Sequence, residues 1–304
     1  MSTQKPIRRF LRILARSVFY PIIEACWVQL FRAANLFLHP APAHVKITGI
    51  DRVLVIAPHP DDETLGCGGA VARHADAGDL VRVLIVTDGG ASRAKGLTRS
   101  QMAAIRADEA VRAVGRLNRA VQVILGRLPE GRWQPDALGG LLEREFSSLR
   151  PTIVYAPSRI DFHPEHMKVS LGLARFLART ESDPSLRIRV YELQVPLSTP
   201  LVNRQVDISV VMARRVAALA EYKSQAESFP WRPRQDRYLQ AIFASAGPIE
   251  VFWEMNASDY VRIMSARPQP GSTFRGLRPR PFTDGLAWLT GTRVRQAMRK
   301  HIET

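Results

Sequence analysis

Residues 52–69 read Arg-Val-Leu-Val-Ile-Ala-Pro-His-Pro-Asp-Asp-Glu-Thr-Leu-Gly-Cys-Gly-Gly. The apolar run Val53–Ala57, with charge before it and a proline-flanked histidine after it, reads as a buried parallel strand. That reading constrains the whole chain, because a buried parallel strand needs crossover helices over its faces, and so an open α/β sheet. His59, Asp61 and Asp62 then fall at the strand's C-terminal end, where such sheets bind ligands. An imidazole and a carboxylate this close suit a divalent metal and leave the second carboxylate free as a general base. Capping of the following helix by Asp61 or Asp62 is the structural alternative.

A second cluster, Asp161-Phe162-His163-Pro164-Glu165-His166, follows another apolar strand, Thr152–Ala156. It too lies just past a strand end, so the two clusters can share one crevice although about a hundred residues separate them. Three of the seven histidines sit in these two loops, and both loops carry His-Pro followed by an acid. That repetition argues against two unrelated structural uses.

In Pro58-His-Pro-Asp-Asp-Glu63 and His163-Pro-Glu-His166 the chain resembles the PIG-L, or LmbE-like, family of zinc-dependent N-acetylglucosaminyl deacetylases. Supporting similarity runs through Thr87–Gly90, Arg106–Glu109, Val206–Ser209 and Ala217–Gln225, so it spans about residues 50–255. The resemblance implies zinc, or another divalent metal such as Fe2+, held by His59, Asp62 and His166. It implies Asp61 as the base, His163 as the group that protonates or polarises the reacting amide, and Arg106 as a substrate contact. Two neutral imidazoles and one carboxylate leave zinc a net positive charge and an open position, lowering the pKa of bound water towards roughly 7. The implied reaction is hydrolysis of an acetamide on an N-acetylated amino sugar to acetate and free amine. Two residues depart from the family pattern: Glu165 stands where Asp is usual, and Pro58 where Ala is usual. Neither is an implied ligand. With Asp161, Glu165 is expected in the shell behind the histidines, where its longer side chain would orient His163 or His166 from a different place.

At 304 residues and 46% hydrophobic content, the chain can bury one large core with extensions. The expected division is an N-terminal helical, basic extension over 1–49, a catalytic domain over 50–258 and a basic, Pro/Arg-rich extension over 259–304. Two cysteines, Cys26 and Cys67, give neither a disulfide framework nor a thiolate zinc site, which suits a reducing, cytoplasmic setting. The net charge of +15 is concentrated at the ends. Residues 1–50 hold seven Lys/Arg against one acid and 267–304 eight against two, while the middle is close to balance at 28 against 25. The basic ends, not the active site, are therefore the parts that face an anionic partner.

Residues 6–38 read as helical and apolar, with Arg9, Arg12 and Arg16 on one face. The stretch Ser17–Phe31, interrupted by Pro21 and Glu24, is shorter than the roughly 20 residues a spanning helix needs. No small-x-small site follows it, against a signal peptide. Packing on the core, packing on a second copy and lying in the inner membrane interface all stay open. A proline-punctuated linker covers 39–50. Helices are expected near 64–77, 100–114, 136–149, 166–179, 209–225 and 232–246, and strands near 81–87, 121–125, 186–195 and 249–255. Residues 91–97 read as a loop, and 284–301 as a short basic helix. Asp88, at the second strand's end, is either a contact for substrate hydroxyls or a turn residue, and Trp133 either a sugar platform or a core aromatic. Tyr222–Gln225 reads as helix-end packing. A non-catalytic basic protein binding anionic lipid or nucleic acid on an inactive core is the rival reading. Nucleic acid is disfavoured because no aromatic and basic residues interleave as a stacking platform.

Overall fold

The computed structural model describes residues 20–265, except 39–40, 93–95, 158, 160–162, 181–182, 198–200 and 230. The expectations for residues 6–19, 161 and 266–304 lie outside the described residues. In chain order the helices are α1 (Tyr20–Leu38), α2 (Asp62–Ala77), α3 (Arg99–Leu117), α4 (Pro135–Leu149), α5 (Pro164–Arg179), α6 (Met212–Leu219), α7 (Arg232–Ile242) and α8 (Ala257–Ser265). The strands are β1 (Ala43–His44), β2 (Arg52–Ala57), β3 (Leu80–Thr87), β4 (Gln122–Leu128), β5 (Ile153–Ala156), β6 (Arg187–Tyr191), β7 (Arg204–Asp207) and β8 (Ile249–Asn256).

They form one mixed sheet in the order β1-β7-β8-β6-β5-β2-β3-β4. All pairs are parallel except those of β8, which runs antiparallel to both β6 and β7. The predicted class, a mostly parallel sheet with helices on both faces, is what the chain adopts. From β2 the chain moves outward to β3 and β4, then returns to lay β5 on the other side of β2. The order therefore reverses between β2 and β5, and a crevice opens there at the strands' C-terminal ends.

Strand β2 explains the layering. Leu54 and Ile56 point into one core with Leu138 and Leu142 of α4, Leu173 of α5 and Tyr238 of α7. Val53, Val55 and Ala57 point into the other, with Ala70 and Val71 of α2, Ala110 and Val114 of α3 and Ala218 of α6. All six β2 residues but Arg52 are buried, which is why the strand reads as a continuous apolar run. Helix α2 approaches the sheet closely: a Cβ on Gly66 would lie 2.3 Å from the Tyr191 ring, and one on Gly69 2.4 Å from Ile208. The helix kinks at Cys67, and the two backbone N–H groups beyond the kink, Gly69 and Ala70, each donate to the buried Glu250 carboxylate at 2.8 Å.

The segment expected as one helix over 209–225 is broken. Asp207 accepts from both the Ser209 backbone N–H and its hydroxyl, so Ser209 is the donor in an Asx turn. A 3-10 turn, the eight-residue α6 and a second 3-10 turn over Lys223–Ser228 follow. Helix α1 packs on α7: Phe31 is buried against Tyr238, and Glu24 is buried in ion pairs with Arg234 and Arg237. Its opposite face leaves Ile22, Ile23 and Leu30 exposed. No described helix is long and apolar enough to cross a membrane.

Candidate active site

The loop leaving β2 places its polar side chains by a tight turn. The Asp62 backbone N–H donates to His59 O at 3.3 Å, and Asp62 Oδ2 accepts the His59 backbone N–H at 2.8 Å. Asp62 is the first residue of α2, where unpaired N–H groups and the helix dipole favour a carboxylate. Across the crevice, α5 opens with Pro164 in its first turn, His163 just before it and His166 inside it. His59, Asp62 and His166 are all buried, whereas His163 is exposed.

Three donor atoms meet. His59 Nδ1 lies 3.1 Å from Asp62 Oδ2, His166 Nε2 lies 3.2 Å from the same oxygen, and the two nitrogens are 3.2 Å apart. Donors about 2.0–2.1 Å from a tetrahedral metal stand about 3.3 Å from one another, so this nearly equilateral triangle fits one divalent ion. A second set, His59, His163 and His166, has its ring nitrogens within 4.8 Å of one another. It is looser than the triangle and contains no anion. The electrostatics agree that the place suits a cation. Burial lowers the pKa of His59, but Asp62 and Glu130 outweigh it and carry it up to about 9. Burial raises Asp62, yet His166 and His59 hold it well below the ordinary carboxylate range.

Asp61 sits beside the triangle and is not part of it. Its Oδ2 accepts from Arg106 Nη2 at 2.8 Å, and burial pushes its pKa up to about 7 in spite of that guanidinium. Arg106, expected to touch substrate, is buried and held by Asp61, Pro60 O at 2.5 Å and Gly89 O at 3.2 Å. It does not pair with Glu109 one turn on, whose carboxylate accepts from the Ser224 N–H and hydroxyl.

Asp88 has a turn role: its Oδ1 accepts the backbone N–H groups of Gly90 and Glu130 at 3.0 and 3.1 Å. Glu165 lies behind the loop after β4 and not against the histidine rings. Its oxygens accept the Gly131 N–H at 3.1 Å and the Trp133 indole N–H at 2.5 Å. The extra methylene relative to Asp accounts for that reach. Trp133 is a core aromatic, with Lys168 Nζ 3.8 Å over its ring.

Two residues of the site escaped the sequence reading. Glu130, just beyond β4, brings Oε1 to 3.4 Å from His59 Nε2, the ring nitrogen facing away from the triangle. Burial raises Glu130, but His59 and the Ala91 N–H draw it down to about 2. A carboxylate there fixes the tautomer that presents Nδ1 to a metal. The signal was available: an acid in Pro129-Glu130-Gly131 at a strand's C-terminal end is placed by the same rule as His59. The other is Glu63, wholly buried behind Asp61.

Fold and site together define an α/β protein with a triangle of candidate ligand atoms and a separate carboxylate beside it at the switch point of its sheet. The PIG-L family model, described as GlcNAc-PI de-N-acetylase, matches residues 54–176, which carry both motifs. The chain is 26% identical over 233 residues to 1D-myo-inositol 2-acetamido-2-deoxy-alpha-D-glucopyranoside deacetylase of Mycolicibacterium vanbaalenii, covering 59% of this chain and 82% of the relative. Among solved structures it resembles N,N'-diacetylchitobiose deacetylase from Pyrococcus horikoshii, with TM-score 0.59, 21% identity, and coverage of 78% of this chain and 94% of that one. It also resembles GalB, the 4-carboxy-2-hydroxymuconate hydratase of Pseudomonas putida, with TM-score 0.57, 19% identity, and coverage of 67% and 95%. A fold shared by a deacetylase and a hydratase shows that function has to be argued from the site.

Proposed function

We propose that the protein is a metal-dependent hydrolase that removes the acetyl group from an N-acetylated amino sugar of the N-acetylglucosamine type. The observation that carries this reading is the His59–Asp62–His166 triangle with Asp61 beside it but outside it. One anionic and two neutral donors would leave a bound zinc ion positive, able to polarise a water and the acetamide carbonyl. His59, Asp62 and His166 would hold that ion, and Glu130 keeps the His59 ring turned. Asp61, with one oxygen fixed by Arg106, takes the proton of the attacking water on its carboxylate. His163, exposed at the mouth of the crevice and with its ring centre 4.6 Å from that of His166, gives a proton to the departing amine nitrogen. The catalytic unit in this reading is residues 50–258.

The relative from Mycolicibacterium supports the sugar, since its substrate is a 2-acetamido-2-deoxy-glucopyranoside. The hydratase reading lacks comparable support, because that likeness is one of fold at 19% identity. Purified protein loaded with zinc, and separately with Fe2+, should release acetate and a primary amine in equal amounts from at least one N-acetylglucosaminide. Absence of acetate from glycan, inositol-linked and lipid-linked N-acetylglucosamine alike would overturn the proposal.

A second element of the proposal concerns location. The outward face of α1 carries Ile22, Ile23 and Leu30, and it follows a segment with Arg8, Arg9, Arg12 and Arg16. Apolar side chains beside basic ones suit an anionic bilayer surface, and a substrate whose sugar is attached to a lipid would be met there.

A further inference from the structure

Asp61 is held in a backbone conformation that L-residues rarely adopt, with φ 126° and ψ −29°. Such strain persists only where the surroundings over-determine it, and here the surroundings can be named. On the side-chain side, Arg106 of α3 grips Asp61 Oδ2 and the preceding carbonyl, Pro60 O. On the main-chain side, Glu63 Oε2 accepts the Asp61 N–H at 3.1 Å, while the Thr64 and Leu65 N–H groups donate to Asp61 O at 3.1 and 2.9 Å.

Glu63 does not stand alone. Its Oε1 accepts from the Thr64 hydroxyl at 2.6 Å and from the hydroxyl of Tyr222, a residue 159 positions later in the chain. Both Glu63 and Tyr222 are fully buried, and neither is a member of the donor triangle. Two residues on, Ser224 binds Glu109 through its N–H and hydroxyl at 2.8 and 2.6 Å, and Glu109 is on the same helix as Arg106. The short segment 222–224 therefore reaches both grips on Asp61: the main-chain grip through Glu63, and the helix of the side-chain grip through Glu109.

We infer that Tyr222 and Glu63 are positioning residues that hold Asp61 in its strained conformation, so that its carboxylate stands beside the metal-ligand triangle without joining it. This rests on the deacetylase reading for its kinetic consequence, but the conformational claim stands apart from it. A relaxed Asp61 would swing its carboxylate by several ångströms, away from Arg106 and from the water it must deprotonate. Misplacement of that order lowers turnover by roughly tenfold to a hundredfold.

The test is Tyr222→Phe, which removes one hydroxyl and keeps the ring. Its kcat should fall by about tenfold or more, with KM and bound metal per chain unchanged. In an Asp61→Asn background the same substitution should cause no further loss, because it acts through Asp61; a general packing defect would multiply through. A crystal structure of Tyr222→Phe should show Asp61 at negative φ, and Glu63→Gln should give the same change if the tyrosine variant is poorly folded. Turnover within twofold of the parent, an equal fold-loss in both backgrounds, or an unchanged Asp61 φ in both variants would overturn the inference. Failure of the unsubstituted protein to release acetate would instead sink the deacetylase reading, and the crystallographic comparison would still decide the positioning role.

Discussion

Two adjacent carboxylates in this chain meet opposite fates. Asp62 faces two imidazoles and is held well below its ordinary pKa, whereas Asp61 is buried beside a single guanidinium and rises to about 7. Environments that push neighbouring acids apart mark different chemical roles, and the proposed roles here are ligand for Asp62 and base for Asp61. Two substitutions separate those roles. His166→Ala removes one corner of the triangle and should abolish stoichiometric metal binding together with activity, as read by metal analysis of the dialysed protein. Full metal occupancy in that variant would assign the ligand wrongly. Asp61→Asn keeps the shape but cannot take a proton, so it should retain the metal while turnover falls by at least about a hundredfold. Loss of metal from Asp61→Asn would make Asp61 a ligand.

His59, Asp62 and His166 could be singled out in the sequence because His and Asp after a strand end have few alternative reasons to cluster, and the structure brings their donor atoms together. The supporting carboxylates were harder to read, since Glu63, Glu109 and Glu165 look alike in sequence and their partners, Tyr222, Ser224 and Trp133, come from distant segments. For the same reason the sequence gives no sign of the Arg106 partner Asp61, which is 45 residues away.

At the scale of elements, the parallel strands and the long helices were readable because each carries its own period and its own stops. The edge was not. Strands β1 and β7 are two and four residues long, and pairing with each other and with β8 alone makes them strands. Helix α8 begins directly where β8 ends, and its Tyr260 and Met264 are buried in the core, yet no turn signal separates it from the strand. Helix α2 shows how closely sequence and packing agree where the signal is strong. Two of its glycines, Gly66 and Gly69, allow close approach to the sheet. Gly69→Ala would bring a Cβ to 2.4 Å from Ile208 Cγ2 and 3.1 Å from the Glu250 carboxylate that caps the kink. Overpacking of this kind costs about 1–3 kcal/mol, so the variant's melting temperature should fall by several degrees, with metal loss at lower temperature than in the parent. An unchanged melting curve would mean that α2 can slide on the sheet. The same change at Gly140, where a Cβ would meet nothing within 4 Å, serves as the control.

For the whole molecule, the balance of charge separates a nearly neutral catalytic core from basic ends, and α1 joins the two. The packing of α1 on α7 makes a simple truncation a poor test of the membrane proposal. Deleting residues 1–40 would remove Phe31 from the core and leave Arg234 and Arg237 without Glu24, so loss of binding in that deletion could reflect damage to α7. The outward face offers a cleaner variant. Ile22 and Leu30 are 58% and 53% exposed, so Ile22→Glu/Leu30→Glu should leave the melting temperature and the hydrolysis of a water-soluble N-acetylglucosaminide unchanged. If that face enters a bilayer, withdrawing two such side chains forfeits about 3 kcal/mol, on the order of a hundredfold in partitioning to phosphatidylserine vesicles at low salt. The basic residues add about 1 kcal/mol each near such a surface, an attraction that salt screens, so the parent's binding should weaken steeply with ionic strength. Equal vesicle binding by parent and variant would place the contact outside α1, and no binding by the parent at low salt would remove the membrane from the account of this enzyme.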